Sequence, residues 1–226
     1  LSLARILVTS TFASSFIAED IALLRKHFEV QHLLINGLTD GFRIDAGVRA
    51  SDAVFCWFAS TYAALTIAIA RSYRKKTLLA LGGVDVADLP RLGYGIWTSR
   101  LKGRLAGYAI RHADRVIAVD PSLIDEARRR TGAALDHASS LPTGIDESYW
   151  TPDGPREGFV LTVAAVDTRP RLLVKGFELL CDAASMVPQI KFVLVGVGEA
   201  LLADARKSAP LNMEVCGRVS REEMRR

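Results

Sequence analysis

Three places in the sequence put residues where they could handle a phosphate or a sugar. Lys175-Gly176 stands at the predicted entry of an amphipathic helix, with Phe177, Leu180, Cys181 and Ala184 spaced along one face. A fixed cation beside a helix N-terminus is what a developing phosphate charge needs; a solvated lysine at a helix start is the plain alternative. Gly196 and Gly198, in LVGVGEA, close one predicted strand and open the next helix. Glycine there permits close backbone approach and positive φ, although a lone GxG also marks an ordinary turn. Glu199 follows with no assigned task. The third place is the loop Thr9-Ser10-Thr11-Phe12-Ala13-Ser14, after the first predicted strand. Its hydroxyls and the helix start behind them lie where open α/β sheets take ligands.

Other chemistries find no footing. The sequence holds no Ser-His-Asp order, no HExxH and no GxxxxGK[ST]. The first strand lacks GxGxxG, which argues against a nicotinamide dehydrogenase. His27, His32, His112 and His137 are scattered and read as structural, so no metal site is expected. Cys56, Cys181 and Cys216 each sit in an apolar stretch and read as reduced, buried thiols, which suits a cytoplasmic compartment. The 29 basic and 25 acidic residues leave a net charge of +4, well short of a nucleic-acid footprint. Anionic small molecules or an anionic membrane surface remain compatible with it.

The elements that must position these residues alternate strand and helix. Predicted strands cover 4–9, 30–35, 52–58, 76–81, 115–120 and 135–142, with helices at 14–28 and after Ser60 and Pro121. Residues 36–50 read as a loop with a short helix. Ala53–Ala70 carries no charge, yet VFCW reads as a buried strand and Ser60-Thr61 as a helix start, so strand-turn-helix is favoured over a membrane span. Repeated βα units imply a doubly wound, Rossmann-like parallel sheet over residues 1–150. Tyr149–Pro155 reads as a linker. From 158 to 226 the pattern restarts with strands at 158–166, 190–196 and 213–219, a helix at 175–187, a short helix at 200–207, and a capping box at Ser220-Arg-Glu-Glu. This second Rossmann-like domain is incomplete, which suggests a truncated chain. A sheet ending there would leave an apolar edge or an uncovered face.

The segments LALGGVDVADLPRLGYG, ADRVIAVDPSLIDEARR, LPTGIDESYWTPDG, FVLTVAAVDTRPRLLVKGFELL, KFVLVGVGEALL and MEVCGRVSREEM follow one another in this order. Together they resemble glycosyltransferases of the GT-B fold, family four, over almost the whole chain. The resemblance implies a retaining transfer of sugar from a nucleotide-diphosphate donor, with no cofactor and no metal because basic residues and helix dipoles take the metal's place. It places the donor at the second domain, with Lys175 and Gly176 at the diphosphate and Gly196 and Gly198 bordering the nucleotide. The family's arginine follows a glycine at the strand end, where this chain has Ala164-Ala165; Arg169 or Arg171 from the following loop is the candidate replacement. The acceptor falls to the first domain. Family members often carry paired glycines in the loop where Thr11 stands. Gly82-Gly83-Val84-Asp85 matches a segment commonly reading His-Gly-x-Asp, with Gly82 in the histidine's place. Asp85 is either a loop-orienting acceptor or a substrate contact.

The pair of glutamates separated by seven residues that the family carries in its second domain does not occur after residue 219. The chain alone is therefore expected to be inactive, and no catalytic residue is assigned. The acceptor is a glycan, a lipid-linked molecule or a small molecule. Helix Ile96–His112, with Trp97, Leu101, Leu105 and Tyr108 beside Arg100, Arg104, Arg111 and Arg115, is either an ordinary packed helix or a peripheral contact with the inner face of a membrane. A nucleotide-sugar epimerase of the same fold and a non-catalytic nucleotide- or glycan-binding subunit are the alternatives.

Overall fold

The computed structural model describes residues 3–151 and 158–225. The chain divides into two compact units, Leu1–Pro90 with Gly95–Gly144, and Arg91–Tyr94 with Ile145–Arg226.

The first unit runs β1 (Arg5–Ser10), α1 (Ser15–Leu24), β2 (Glu29–Leu34), α2 (Gly41–Ala50), β3 (Ala53–Trp57), α3 (Thr61–Ser72), β4 (Lys76–Leu81), α4 (Arg100–His112), β5 (Arg115–Ala118), α5 (Pro121–Thr131) and β6 (Ala138–Ser140). Every pairing is parallel, in the order β2-β1-β3-β4-β5-β6. The chain leaves β1 outward to β2 and returns past it to β3, so the winding reverses between β1 and β3. Leu7, Ile44, Val48, Val54, Ile67, Leu79, Ile110 and Val116 fill one face. On the other, Val8, Phe55, Trp57 and Ala80 meet Ile17 and Ile21 of α1. Burial on both faces explains the continuous apolar run VFCW. Among the described residues no helix is long and apolar enough to cross a membrane.

Short polar side chains set the helix starts. Ser14, Ser60 and Asp120 accept from the backbone N–H of Ile17, Ala63 and Ser122, and Pro121 occupies the first turn of α5. The stretch expected as one helix from Ile96 is a 3₁₀ turn, Ile96–Thr98, followed by α4. Ser99 is extended and caps α4. Trp97 leaves the helix stripe: its Nε1 donates to the Asp85 carbonyl (3.0 Å), and its ring lies against Gly103 and Gly107. Arg115 belongs to β5 rather than to the basic stripe. The short helix expected within 36–50 is α2, ten residues long, burying Ile44 and Val48 one turn apart.

The second unit runs β7 (Phe159–Val166), α6 (Arg169–Val174), α7 (Phe177–Met186), β8 (Lys191–Val197), α8 (Glu199–Ser208), β9 (Met213–Cys216) and α9 (Arg221–Arg225). Its sheet is parallel, β7-β8-β9, around Val166, Leu172, Phe177, Phe192, Leu194 and Val215. Val160, Leu161 and Val163 of β7 are exposed. The capping box at Ser220 forms in both directions: Ser220 N–H donates to Glu223 Oε2 (2.8 Å) and Glu223 N–H to Ser220 Oγ (3.1 Å). Helix α6 replaces an expected loop. Thr168 Oγ accepts from Arg171 N–H, Pro170 sits in the first turn where its missing N–H costs nothing, and Leu172 is buried. Cys56 is buried, whereas Cys181 and Cys216 are partly exposed, so the expected burial holds for one thiol of three. Residues 152–155 of the expected linker lie outside the described residues. Tyr149 and Trp150, at its start, lie under the Arg221 guanidinium at 4.2 and 5.4 Å.

Candidate functional site

At the reversal point of the first sheet, a narrow crease with no room for a water molecule is lined by Thr9, Ser10, Thr11, Ile35, Trp57, Ser60, Tyr62 and Ala63. Thr11 is therefore at the position that the topology favours for a ligand. Ser10 and His32 meet beside it, with Oγ 2.9 Å from Nε2. Ser10 Oγ also lies 3.1 Å from the Phe12 carbonyl; with its proton given there, the ring nitrogen is the donor to the hydroxyl. Burial and then Arg25 hold the His32 pKa below its ordinary value, which favours the neutral ring.

Asp85 is 1% exposed. Its Oδ1 accepts from Gly83 N–H (2.8 Å) and Gly82 N–H (3.1 Å), and its Oδ2 from Ala59 N–H (3.1 Å). Burial pushes its pKa up to about 6 against the pull of these donors. The carboxyl ties the loop after β3 to the loop after β4, and its oxygens are spent on backbone. Gly82 stands under the Phe58 ring: a Cβ there would lie 2.2 Å from Phe58 Cε1. Phe58 has φ 67° and its ring stacks on Phe12 with centroids 5.2 Å apart. The space that the family resemblance gives to a histidine is filled by this ring. Gly83, at φ 110°, takes a backbone conformation that side chains rarely adopt. Thus Gly82, Gly83 and Asp85 are brought together as a loop clamp. Phe58 reads in sequence as the last residue of a strand, so its turn back over Gly82 had no local signal.

In the second unit, both glycines of the GxG turn answer close packing. Gly196 has φ 106°, and a Cβ there would lie 2.5 Å from the Ala164 carbonyl oxygen. A Cβ on Gly198 would lie 2.9 Å from Asp167 Oδ1. Gly198 N–H donates to the Val166 carbonyl (2.8 Å) and Gly196 N–H to that of Gly217 (3.0 Å). Both oxygens of Asp167 accept from Arg218 Nη2. Asp167, Gly198 and Arg218 therefore meet at the C-terminal edge of β7, β8 and β9. Sequence reading passed over Asp167 and Arg218; Asp167's position just after a predicted strand was the available signal, whereas Arg218 fell inside the predicted strand 213–219, which ends at Cys216 in the structure.

Arg169, Arg171 and Lys175 lie on and just after α6. Two residues turn a helix by about 200° and four by about 400°, so Arg171 and Lys175 share a side and Arg169 faces away. Arg169 lines a groove of about 210 Å³ with Leu172, Phe177, Cys181, Leu201 and Ala205. Among the described residues no hydrogen bond or ion pair joins the side chains of Arg169, Arg171 or Lys175 to an acid, in contrast to Arg218. Gly176, at φ 80°, turns the chain from α6 into α7, whose first turn also carries Glu178. Among the described residues no group of three or more His, Cys, Asp or Glu is placed to hold a metal ion.

A scan of the sequence against protein-family models finds no match, and a search of curated proteins finds none either. Solved structures do resemble it. The S. aureus MnaA–UDP co-structure is 10% identical, with a TM-score of 0.55 over 96% of this chain and 69% of that one. A UDP-GlcNAc 2-epimerase from Neisseria meningitidis bound to UDP-GlcNAc is 11% identical, with a TM-score of 0.55 over 98% and 74%. The lipopolysaccharide outer core galactosyltransferase WaaB, in its apo form, is 13% identical, with a TM-score of 0.54 over 97% and 70%. The likeness is one of fold. The six-stranded parallel sheet followed by a smaller parallel sheet matches the Rossmann-type domains of GT-B-like proteins.

Proposed function

We propose that this chain carries the nucleotide-sugar site of a glycosyltransferase that moves a hexose-type sugar from a nucleotide-diphosphate donor to an acceptor. The observation that carries the reading is the set of cations after β7 that, among the described residues, make no ion pair with an acid, with Arg171 on α6 and Lys175 four residues on, at the turn into α7. Transfer breaks the bond between the anomeric carbon and the diphosphate, and negative charge grows on the leaving oxygen. These two exposed cations, drawn to a bound phosphate, and the backbone N–H groups that open α7 stabilise that charge. Arg offers a fork to phosphate oxygens and Lys a point charge. In this reading side-chain cations do the work of a metal. Retention of configuration is the stereochemistry that the family-four resemblance implies. The solved structures support the ligand class, since one holds UDP and another UDP-GlcNAc.

An epimerase acting on the same ligand class is the second reading, favoured by the epimerases among the similar structures. It needs acid and base groups free to reach a sugar carbon. In the first unit, Asp85 and His32 are engaged with Gly83 and Ser10 instead. The acceptor falls to the first unit, as the family-four resemblance implies. The setting that fits is cytoplasmic, with peripheral membrane contact if the acceptor is lipid-linked.

Calorimetric titration with UDP, followed by product analysis with UDP-sugars and candidate acceptors, tests the reading. UDP binding together with a new glycoside supports transfer. A change at a sugar carbon without acceptor dependence supports epimerisation. Failure to bind UDP, and GDP and ADP titrated in the same way, at millimolar concentration refutes both.

A further inference from the structure

The groove between α7 and α8 has an apolar floor and an acidic lip. Leu172, Phe177 and Ala205 at its floor are buried, with Cys181 beside them. Its volume of about 210 Å³ admits one large apolar side chain and falls short of the roughly 300–1,000 Å³ usual for a small-molecule site. On the lip, Glu178 and Asp182 stand one turn apart on α7, and Asp204 stands on α8. All three are exposed, and among the described residues none of them makes an ion pair. Their charge reaches inward: burial first, then Asp182 and Glu178, raise the pKa of the Cys181 thiol. Arg169, at the α6 end, is the one cation among the described residues that line the groove. A surface that fits it carries one protruding apolar side chain with cations on both sides.

The same chain presents such a surface on its first unit. Leu101, in the first turn of α4, is 69% exposed. At about 100° per residue, Arg100 and Arg104 form a row on one side of it and Lys102 stands on the other. These three cations are exposed, and among the described residues none makes an ion pair. Arg100 and Arg104 are four residues apart, the spacing of Glu178 and Asp182, so row can face row while Lys102 faces Asp204. We propose that Leu101 of one copy of this chain seats in the α7–α8 groove of a second copy, with the cations of α4 against the acids of the lip. Knob and groove are different surfaces, so the contact is heterologous and adds copies head to tail. One anchor with three rim pairs makes a small interface, in which the anchor holds and the charges orient the encounter.

The test is sedimentation velocity of the full chain. The sedimentation coefficient should rise with concentration between roughly 10 µM and 1 mM, the range of a weak interface. It should fall toward the monomer value at about 500 mM salt, where exposed charges are screened. Leu101→Asp removes the knob, and Asp182→Lys with Asp204→Lys reverses the lip. All three positions are exposed, and circular dichroism checks the fold. Each variant alone should stay monomeric. Mixed, the two should form a dimer that grows no further, because one keeps only the groove and the other only the knob. Alkylation of Cys181 in the wild type should slow as the chain associates, with Cys216 unchanged. If the lip variant fails to fold, Leu101→Asp and the salt series decide alone. A wild type that is monomeric at every concentration overturns the proposal. Association that survives Leu101→Asp or the lip reversal overturns it in favour of another face, and a mixture of the two variants that stays monomeric overturns it as well.

Discussion

Asp85→Asn preserves the side chain's size and removes its titration. Burial sets the Asp85 pKa at about 6 in the folded chain, against about 3.9 when unfolded. Between those values the folded chain keeps a proton that the unfolded chain has released. The stability tied to that proton is complete below about pH 4 and is lost as pH rises through about 6. At about 1.4 kcal/mol per pH unit, the loss comes to roughly 3 kcal/mol by pH 7. Asn has no such slope. It also turns an NH₂ toward backbone donors of Ala59 or of Gly82 and Gly83, a pH-independent cost of about 1–3 kcal/mol. Urea unfolding of both chains from pH 4 to 7.5 reads the difference, and the other carboxylates cancel because they titrate in both. The wild-type stability minus that of the variant should fall by roughly 3 kcal/mol across the range. A difference that stays flat, or grows with pH, would refute burial as the dominant influence on Asp85.

Other outcomes follow from single contacts. Gly82→Ala pushes a methyl to 2.2 Å from the Phe58 ring and should cost about 1–3 kcal/mol of stability by overpacking, read as a lower midpoint in urea. Asn212 Nδ2 donates toward the carbonyls of Ala184, Val187 and Ile190 at 2.9, 3.2 and 2.8 Å. Asn212→Ala leaves those carbonyls short of a donor and should cost about 1–3 kcal/mol in the same assay. The Cys56 thiol is buried, with its pKa pushed up to about 12, while Cys181 and Cys216 are partly exposed. Mass spectrometry after alkylation of the native chain should show adducts on Cys181 and Cys216, with Cys56 modified only on unfolding.

The parts of the fold legible in the sequence are those decided locally. VFCW announces a buried strand because both of its faces are covered. Ser60 and Ser220 announce helix starts because the capping bond spans three residues, and Pro121 because its φ suits the first turn. The parts that escaped depend on distant partners. Helix α6 hides behind Arg-Pro-Arg, where proline reads as a loop residue unless its place in the first turn is recognised. Trp97 has helical spacing, yet its bond to the Asp85 carbonyl and its seat on Gly103 and Gly107 pull it out of the stripe. The same holds at the candidate sites. Lys175 and the glycines could be picked out by residue type. The Phe58 ring over Gly82 and the Asp167–Arg218 pair join residues 24 and 51 positions apart, which no local pattern records.

The most direct measurement is calorimetric titration of the wild-type chain with UDP, repeated on Lys175→Ala, Arg171→Ala and Arg169→Ala. A charge-assisted phosphate contact is worth about 1.5–3 kcal/mol, or roughly ten- to a hundredfold in affinity. The wild type should bind. Lys175→Ala and Arg171→Ala should each weaken UDP at least tenfold with unchanged unfolding midpoints, and Arg169→Ala, turned to the groove of Phe177 and Leu201, should weaken it little. Absence of UDP binding, or affinity indifferent to Lys175 and Arg171, would contradict a diphosphate held at the turn from α6 into α7.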